Sequence, residues 1–401
     1  MNNKKLIPEL RFPEFKNEGE WEIKTIDEVG NVVASGDLDS SSFSSLPSDK
    51  HIYPVYSNSV SNEGLYGYNT YSKYKPNSVT ITARGTLGVA FVRKNEFIGI
   101  GRLLVLSDFN KTDAVFFKEN WNHFAKVPLE NGGIPQLTAV KAKSVTLLFP
   151  KEIEQQHIAS CLSSLDEVIA AHSQKLDLLK HHKKGLMQNL LPKEGENVPK
   201  YRFKEFIKNG EWDEKVLGDI CDVRDGTHDS PKYVTKGYPL ITSKNLLSNG
   251  IMDFTNVNYL TEEDYVQINK RSKVDVGDIL FGMIGTIGNP VIVKTKGFAI
   301  KNVALIKDIG KLNQEFLLHQ LKSDFILKQF EKVNAGGILK FIALGIIRNL
   351  KVIVPSPEEQ QKIASCLSSL DALITAQVEK IEQLKIHKKG LMQGLFPKMS
   401  E

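Results

Sequence analysis

Two stretches of the chain carry the same alternating four-three spacing of apolar residues. In the first, Ile158, Leu162, Leu165, Ile169, Leu176, Leu179, Leu186 and Leu190 fall in register once His172 and Lys183 are counted as polar members. In the second the positions are Ile363, Leu367, Leu370, Ile374, Ile381, Leu384, Leu391 and Leu395, with Gln377 and Lys388 as the polar members. Four-three spacing held over several heptads predicts a coiled-coil seam. Ordinary amphipathic helices on a globular core fit less well, because about 38 residues of helix extend roughly 57 Å. Ser356-Pro357-Glu358-Glu359 predicts an N-cap, a proline at the first helical position and a capping-box glutamate. The first copy begins more weakly, with Pro150, Glu152 and Glu154, and Pro192 and Pro397 stop the two helices. Gly185 and Gly390, inside the last turns, suggest close approach by another backbone, with a shared frayed end as the alternative.

The two stretches also match residue by residue. Glu154–Lys193 and Glu359–Lys398 align without a gap and are identical at about two-thirds of positions. The duplication extends upstream. Pro8-Glu9-Leu10-Arg11-Phe12 with Gly19-Glu20-Trp21 recurs as Pro199-Lys200-Tyr201-Arg202-Phe203 with Gly210-Glu211-Trp212. Short amphipathic stretches follow at Thr25–Val29 and Val216–Ile220. The chain is therefore two units, roughly 8–193 and 199–398, each with an entry module, a globular domain and a long helix. The segments are 1–153, 154–193, 194–358 and 359–401.

Between entry module and helix the pattern changes to short apolar runs. In the first domain these predict strands at His51–Tyr56, Ser78–Ala83, Gly88–Val92, Gly101–Leu106 and Val145–Phe149, a helix at Asp113–Phe124, and a loop over Ser35–Ser48. In the second they predict strands at Tyr238–Thr242, Asp278–Phe281, Val291–Lys294, Ala304–Lys307 and Lys351–Val354, and a helix at Asn313–Lys332. Gly85-Thr86-Leu87-Gly88 answers Gly285-Thr286-Ile287-Gly288, and Asn131-Gly132-Gly133-Ile134 answers Ala335-Gly336-Gly337-Ile338. The expected fold class is α/β (α+β): one scaffold used twice with divergent loops, separated by two antiparallel coiled-coil helices under a pseudo-two-fold.

Composition narrows the function classes. With 401 residues and 41% hydrophobic content the chain can build real cores. It has no apolar run of membrane-span length and no signal-peptide core, so a cytosolic protein is expected. Three cysteines make neither a disulfide framework nor a zinc site. There is no GxxxxGK[ST] loop, no GxGxxG fingerprint, no HExxH and no Asp/Asn-Pro-Pro-aromatic motif. A net charge of +5 permits nucleic-acid binding. Polar and basic residues cluster at predicted loops: Ser57, Asn58, Tyr66, Tyr68, Arg84, Thr86 and Arg102 in the first domain. The second has Arg224, Thr227 and His228 in the loop Arg224–Lys232, then Ser243, Lys244, Asn245, Thr286, Lys301 and Asn302. Arginine and lysine suit guanine edges and phosphates, and asparagine suits adenine. For any single residue a solvated loop side chain is an equal reading.

The duplicated EQQxIAxxLSSLD…LKxHKKGLMQxLxPK helices, the RFxEF…GEW modules, and the DGTHDSPKY…GYPLITSKNL and VGDILFGMIGTIG stretches together resemble the specificity subunit of type I restriction–modification enzymes, over essentially the whole chain. The resemblance implies two target-recognition domains that each read half of a split double-stranded DNA target, and helices that set the gap between halves. It implies two methylation subunits, joined by two motor-nuclease subunits for cleavage. AdoMet, ATP and magnesium would sit on those partners, and this chain would be non-catalytic. The alternative is a coiled-coil adaptor without DNA readout.

Overall fold

The computed structural model describes residues 6–127, 135–229, 231–333 and 341–398. The glycine-containing matches at 131–134 and 335–338, and Ser230, lie outside them. The chain divides into two compact units, residues 1–173 with 380–401, and residues 174–379. Each unit contains the first or last part of both long helices, α4 (Glu152–Leu190) and α10 (Pro357–Leu395).

Before α4, the first unit runs β1 (Glu22–Thr25), α1 (Ile26–Val29), β2 (Asn31–Ala34), β3 (Phe43–Ser44), β4 (Tyr53–Tyr56), β5 (Leu65–Asn69), β6 (Ser78–Ile81), β7 (Ala90–Arg93), β8 (Ile98–Gly99), β9 (Leu104–Ser107), α2 (Ala114–Phe124), α3 (Ala139–Lys143) and β10 (Thr146–Phe149). Strands pair in the orders β2-β9-β6-β7, β3-β5-β4-β8 and β1-β10. Before α10, the second unit runs β11 (Asp213–Val216), α5 (Leu217–Ile220), β12 (Asp222–Asp225), β13 (Tyr238–Ile241), β14 (Asn258–Leu260), α6 (Glu262–Ser272), β15 (Ile279–Gly282), β16 (Gly288–Ile292), β17 (Ala299–Ile300), β18 (Val303–Lys307), α7 (Gln314–Leu321), α8 (Asp324–Val333), α9 (Leu344–Arg348) and β19 (Lys351–Val354). Its orders, β12-β18-β15-β16, β14-β13-β17 and β11-β19, repeat the first unit's, except that β3 has no counterpart among the described residues. In both, one parallel pair (β4 with β8, β13 with β17) sits among antiparallel ladders. The central strands β6 (SVTI) and β15 (ILFG) are buried at every position, so neither alternates between a core face and a solvent face.

The core of each unit includes residues from the end of the long helix that finishes in it. Met392, Leu395 and Phe396 of the α10 end join Trp21, Phe116 and Trp121. Phe396 lies 5.6 Å from Trp21, 5.4 Å from Phe116 and 5.0 Å from Phe124, centroid to centroid. Leu190 and Leu191 likewise join Trp212, Phe316 and Leu367. In each unit, then, the start of one helix lies beside the end of the other, and the pairing is antiparallel. All sixteen seam residues named from the sequence are buried or half-buried.

The polar seam positions have partners. Lys388 Nζ donates to Asp166 Oδ1 and Oδ2 at 2.7 and 2.8 Å and to Glu119 Oε1 at 3.0 Å. Lys183 Nζ donates to the equivalent Asp371 at 2.5 and 2.6 Å. The position of Glu119 is taken in the second unit by His319, at the same offset from the helix N-caps Asp113 and Asn313. His319 is fully buried, 3.3 Å from Ser368 Oγ through Nε2, and its Nδ1 has no partner. Burial, with Lys183 nearby, pushes its imidazole down to about 3.

Each entry module is locked to a helix start by a buried ion pair. Arg11 donates from Nε and Nη2 to Glu154 at 2.8 Å each, and from Nη1 to the carbonyls of Glu18 and Gly19. Arg202 repeats this with Glu359, Asn209 and Gly210. Glu359 therefore does not close the expected capping box, since its carboxylate goes to Arg202. Ser356 still accepts from Glu359 N through Oγ at 3.4 Å.

Other expectations are revised. Asn313–Lys332 is two helices, broken at Lys322-Ser323. Ser35–Ser48 is partly ordered: Asp39 accepts from Ser41 N and from the hydroxyls of Ser41 and Ser42, building a 3-10 turn ahead of β3. A Cβ at Gly185 or Gly390 would meet nothing of this chain, so no backbone of the chain approaches there.

Two outcomes follow. Arg11→Met leaves the Glu154 carboxylate buried without its cation and should lower unfolding free energy by about 3 kcal/mol in urea denaturation. Adding Glu154→Leu should recover most of that loss. His319 is neutral in the fold to about pH 3, while the unfolded chain takes up this proton near its ordinary value of 6.5. The unfolded state therefore binds more protons between those values, and stability should decline as pH falls from about 6.5 toward about 3. His319→Gln should flatten that decline in pH-dependent melting curves.

Candidate nucleic-acid interface

In the second unit four strand ends converge. β12 leads into Gly226-Thr227-His228, β13 into Thr242–Asn245, β15 into Met283-Ile284-Gly285, and β17 into Lys301-Asn302. Thr227 N donates to Ile300 O at 3.0 Å, Asn302 N to Thr227 O at 3.1 Å, and Lys301 N to Ile241 O at 2.9 Å. Gly226 is required, because a Cβ there would lie 2.3 Å from Ile300 O. Ser243 fastens the cluster. Its Oγ accepts from Met283 N at 3.0 Å and Ile284 N at 3.3 Å, and donates to Asn302 O at 3.0 Å. Asn245 is also structural: Oδ1 accepts from Thr242 N and Oγ1, while Nδ2 donates to the carbonyls of Asp253 and Asn256.

The first unit repeats the device with a different residue. Asn58 Oδ1 accepts from Ala83 N at 2.7 Å, and Nδ2 donates to Gly101 O at 2.7 Å. Gly101 N donates to Gly36 O at 2.9 Å, as Asn302 N does to Thr227 O. Asn58 and Ser243 thus tie together the same pair of loops. Ser57 belongs to this frame through Gly64 O, which accepts from Ser57 N at 2.8 Å and from Oγ at 3.3 Å.

The fold brings many candidates to these loop ends and leaves others elsewhere. Arg84, Thr86, Arg102, Lys244, Thr286 and His228 are exposed; Thr227, Lys301 and Asn302 are half-buried. Asn58, Ser57, Ser243 and Asn245 hold the frame from within. Arg224 lies along β12, donating to Asp222 Oδ2 and to Arg271 O. Tyr66 and Tyr68 sit on β5; Tyr66 is exposed and stacks on Phe43 at 5.4 Å.

His228 is held between two oxygens, Asn302 Oδ1 at 2.7 Å from Nδ1 and Asp225 Oδ2 at 2.9 Å from Nε2. Two acceptors favour the imidazolium. The Asn302 bond first, then Asp225, raise its pKa above the usual histidine value, against burial and the Arg271 charge. Arg271 pairs with Asp225 on the other side and was missed in the sequence. The signal was there: Thr261 caps α6, three acids follow in its first turn, and Lys270 and Arg271 close it. Arg93 was missed as well. It is buried, 3.6 Å over the Tyr56 ring, donating to Thr80 Oγ1 and Glu63 O, and it anchors the Ser61–Gly64 turn.

Among the described residues no group of His, Cys, Asp and Glu could hold a metal ion, and no helix is long and apolar enough to cross a membrane. Burial pushes the Cys221 thiol up to about 11, in keeping with a packing role.

Residues 18–181 and 209–385 both match the model of a family described as the type I restriction modification DNA specificity domain. The chain belongs to that family. It is 25% identical to the type I restriction enzyme MjaVIII specificity subunit of Methanocaldococcus jannaschii over 68% of this chain and 66% of the relative, just under two-thirds. Against the MjaIX specificity subunit of the same organism it is 22% identical over 95% and 92%. Against a putative type I specificity subunit of Mycoplasma pneumoniae it is 27% identical over 79% and 81%. The fold is similar to that of the type I restriction-modification S subunit of M. genitalium, with a TM-score of 0.66, 16% identity, and coverage of 98% of this chain and 100% of that one. Two divergent copies of this family's domain, joined by α4, account for the repeated strand orders.

The His228 geometry makes a measurable claim. Its imidazole should titrate above an ordinary histidine in NMR, keeping its charge to higher pH and losing it as pH rises through the raised value. Asn302→Leu should bring the titration back toward 6.5.

Proposed function

We propose that this chain is the sequence-reading subunit of a type I restriction–modification assembly, each globular domain reading one half of a split double-stranded DNA target. The observation that carries this is the paired loop frame. Asn58 and Ser243 hold the same two loops, while the exposed residues around them differ: Arg84 and Arg102 in one unit, His228 and Lys244 in the other. A constant frame with changed tips is what reading two unrelated half-sequences requires.

On this reading the chain performs no chemistry itself. Two methylation subunits would act on an adenine turned out of the stack. Two motor-nuclease subunits would join for cleavage. AdoMet, ATP and magnesium would belong to those partners, acting on DNA in the cytoplasm. Exposed apolar side chains on the long helices support docking there: Val168 and Ile386 in the first unit, Leu178, Leu373 and Val378 in the second.

The two helices would set the gap between half-sites. Removing Ala170–Leu176 together with Thr375–Ile381 deletes one matched heptad and keeps the seam facing inward. It shortens the helical part by about 10 Å, or about three base-pair steps of 3.4 Å. Sequencing the methylated motif made by this variant with its methylation subunit should show unchanged half-sites and a shorter gap. Changed half-site bases with an unchanged gap would overturn the assignment.

A further inference from the structure

Beside the loop frame of the second unit two large apolar side chains stand in solvent. Ile284 is 39% exposed and Phe341 55%. They oppose each other across an isolated antiparallel bridge, so both side chains leave the same face of the backbone. Their chain neighbours Met283 and Ile342 point the other way and are buried in the unit's core. Ile284 and Phe341 join none of the hydrophobic clusters among the described residues. Exposed apolar residues scattered singly need no explanation. These two are paired, and polar residues adjoin them. Ser243 Oγ, which accepts from Ile284 N at 3.3 Å, donates to Asn302 O at 3.0 Å, and the exposed Lys244 follows Ser243.

The first unit builds the same place with other residues. Leu137 N donates to Ala83 O at 3.0 Å, as Ile342 N donates to Met283 O at 2.9 Å. Ala83 N donates to Asn58, as Met283 N donates to Ser243. Ala83 and Leu137 are buried, like Met283 and Ile342. Arg84 therefore holds the position of Ile284, and Gln136 that of Phe341. The inward residues stay apolar in both units. The outward pair changes from guanidinium and amide to two hydrocarbon side chains. A demand of the shared scaffold would have kept its character.

Arginine and glutamine can hydrogen-bond purine edges, whereas isoleucine and phenylalanine can neither donate nor accept. The apolar group that a base pair presents in the major groove is the C5-methyl of thymine. We propose, on the reading of this unit as a DNA-reading domain, that Ile284 and Phe341 determine specificity in its half-site by covering a thymine C5-methyl. Contact removes the methyl and both side chains from water. A cytosine at that place lacks the methyl and sets its amino group against hydrocarbon, where it loses water without gaining a partner.

The test uses the full chain in complex with its methylation subunits. The methylated motif is sequenced first. Duplexes of that motif are then made with each thymine in turn, in both half-sites, replaced by deoxyuridine, which lacks only the methyl. Affinity is read by fluorescence anisotropy. One or more thymines in one half-site should lose about fourfold on replacement, the scale of a methyl withdrawn from an apolar contact. Phe341→Ala and Ile284→Ala should weaken the parent duplex and make the complex indifferent to that replacement. Both side chains lie outside the cores, so the variants should melt like the parent. Val276→Ala, an exposed apolar residue ahead of β15 rather than after it, should leave the methyl effect intact. Ile284→Arg with Phe341→Gln, the first unit's pair, should change the bases methylated in that half-site and leave the other half-site alone. Equal binding of every deoxyuridine duplex by the parent complex would overturn the proposal and leave DNA reading standing. So would a methyl effect that survives undiminished in both alanine variants. A parent complex that binds its motif no better than an unrelated duplex would instead overturn the reading of DNA, and the thymine contact with it.

Discussion

The architecture depends on a buried arginine–glutamate pair made twice. Arg11 and Arg202 are each nearly out of solvent, and each engages a buried carboxylate on the first turn of a long helix. A buried carboxylate is tolerable only when its charge and lone pairs are met. The guanidinium does this with two donors and uses a third nitrogen to close the turn of its own entry module. That turn places Trp21 against Phe116 and Trp212 against Phe316. Below it, Gln155 and Gln360 repeat a second tie, each donating to a proline carbonyl at 2.9 Å and accepting from the N-cap residue of an earlier helix, Asp113 of α2 and Asn313 of α7. Helix, entry module and globular domain therefore meet at one polar joint in each unit.

Around this constant joint the two units have diverged where polar bonding can be exchanged one residue at a time. Asparagine in one loop frame is replaced by serine in the other. Glu119, which helps hold Lys388, is answered by a neutral buried histidine near Lys183. Arg93 stacks on Tyr56 in the first unit, where the second has the buried apolar Val293. Each exchange preserves the strand order, and the last two also alter the local charge.

Much of this was legible in the chain because the signals were periodic or duplicated. The seam could be read from four-three spacing, and Lys183 and Lys388, which interrupt it, proved to be its interhelical ion pairs. The strand runs that were read lie within a few residues of observed strands, the central β6 and β15 because they are buried on both faces, whereas β1, β2, β3, β5, β8, β11, β12, β14 and β17 were not read. What was not legible is direction and partner. Nothing in the letters says that Ser243 points inward to three backbone groups while neighbouring Lys244 points out. No glycine or proline marks the break after Leu321, where the chain turns by backbone geometry alone. Nor do the letters say that Arg224, among the loop candidates, is held by Asp222, two residues away on the same strand.

The shared cores have a consequence for how the protein is made. Residues 380–398 are synthesised after the whole of the second unit, yet Met392, Leu395 and Phe396 fill the core around Trp21 and Phe116, and Lys388 neutralises Glu119. The second unit, by contrast, is one uninterrupted span of chain. On the ribosome the domain that emerges first must wait, with an open apolar face, while the one that emerges second can close earlier. The order of completion of the two units is the reverse of their order of translation, and a chain cut short before residue 380 would lose the integrity of its first unit.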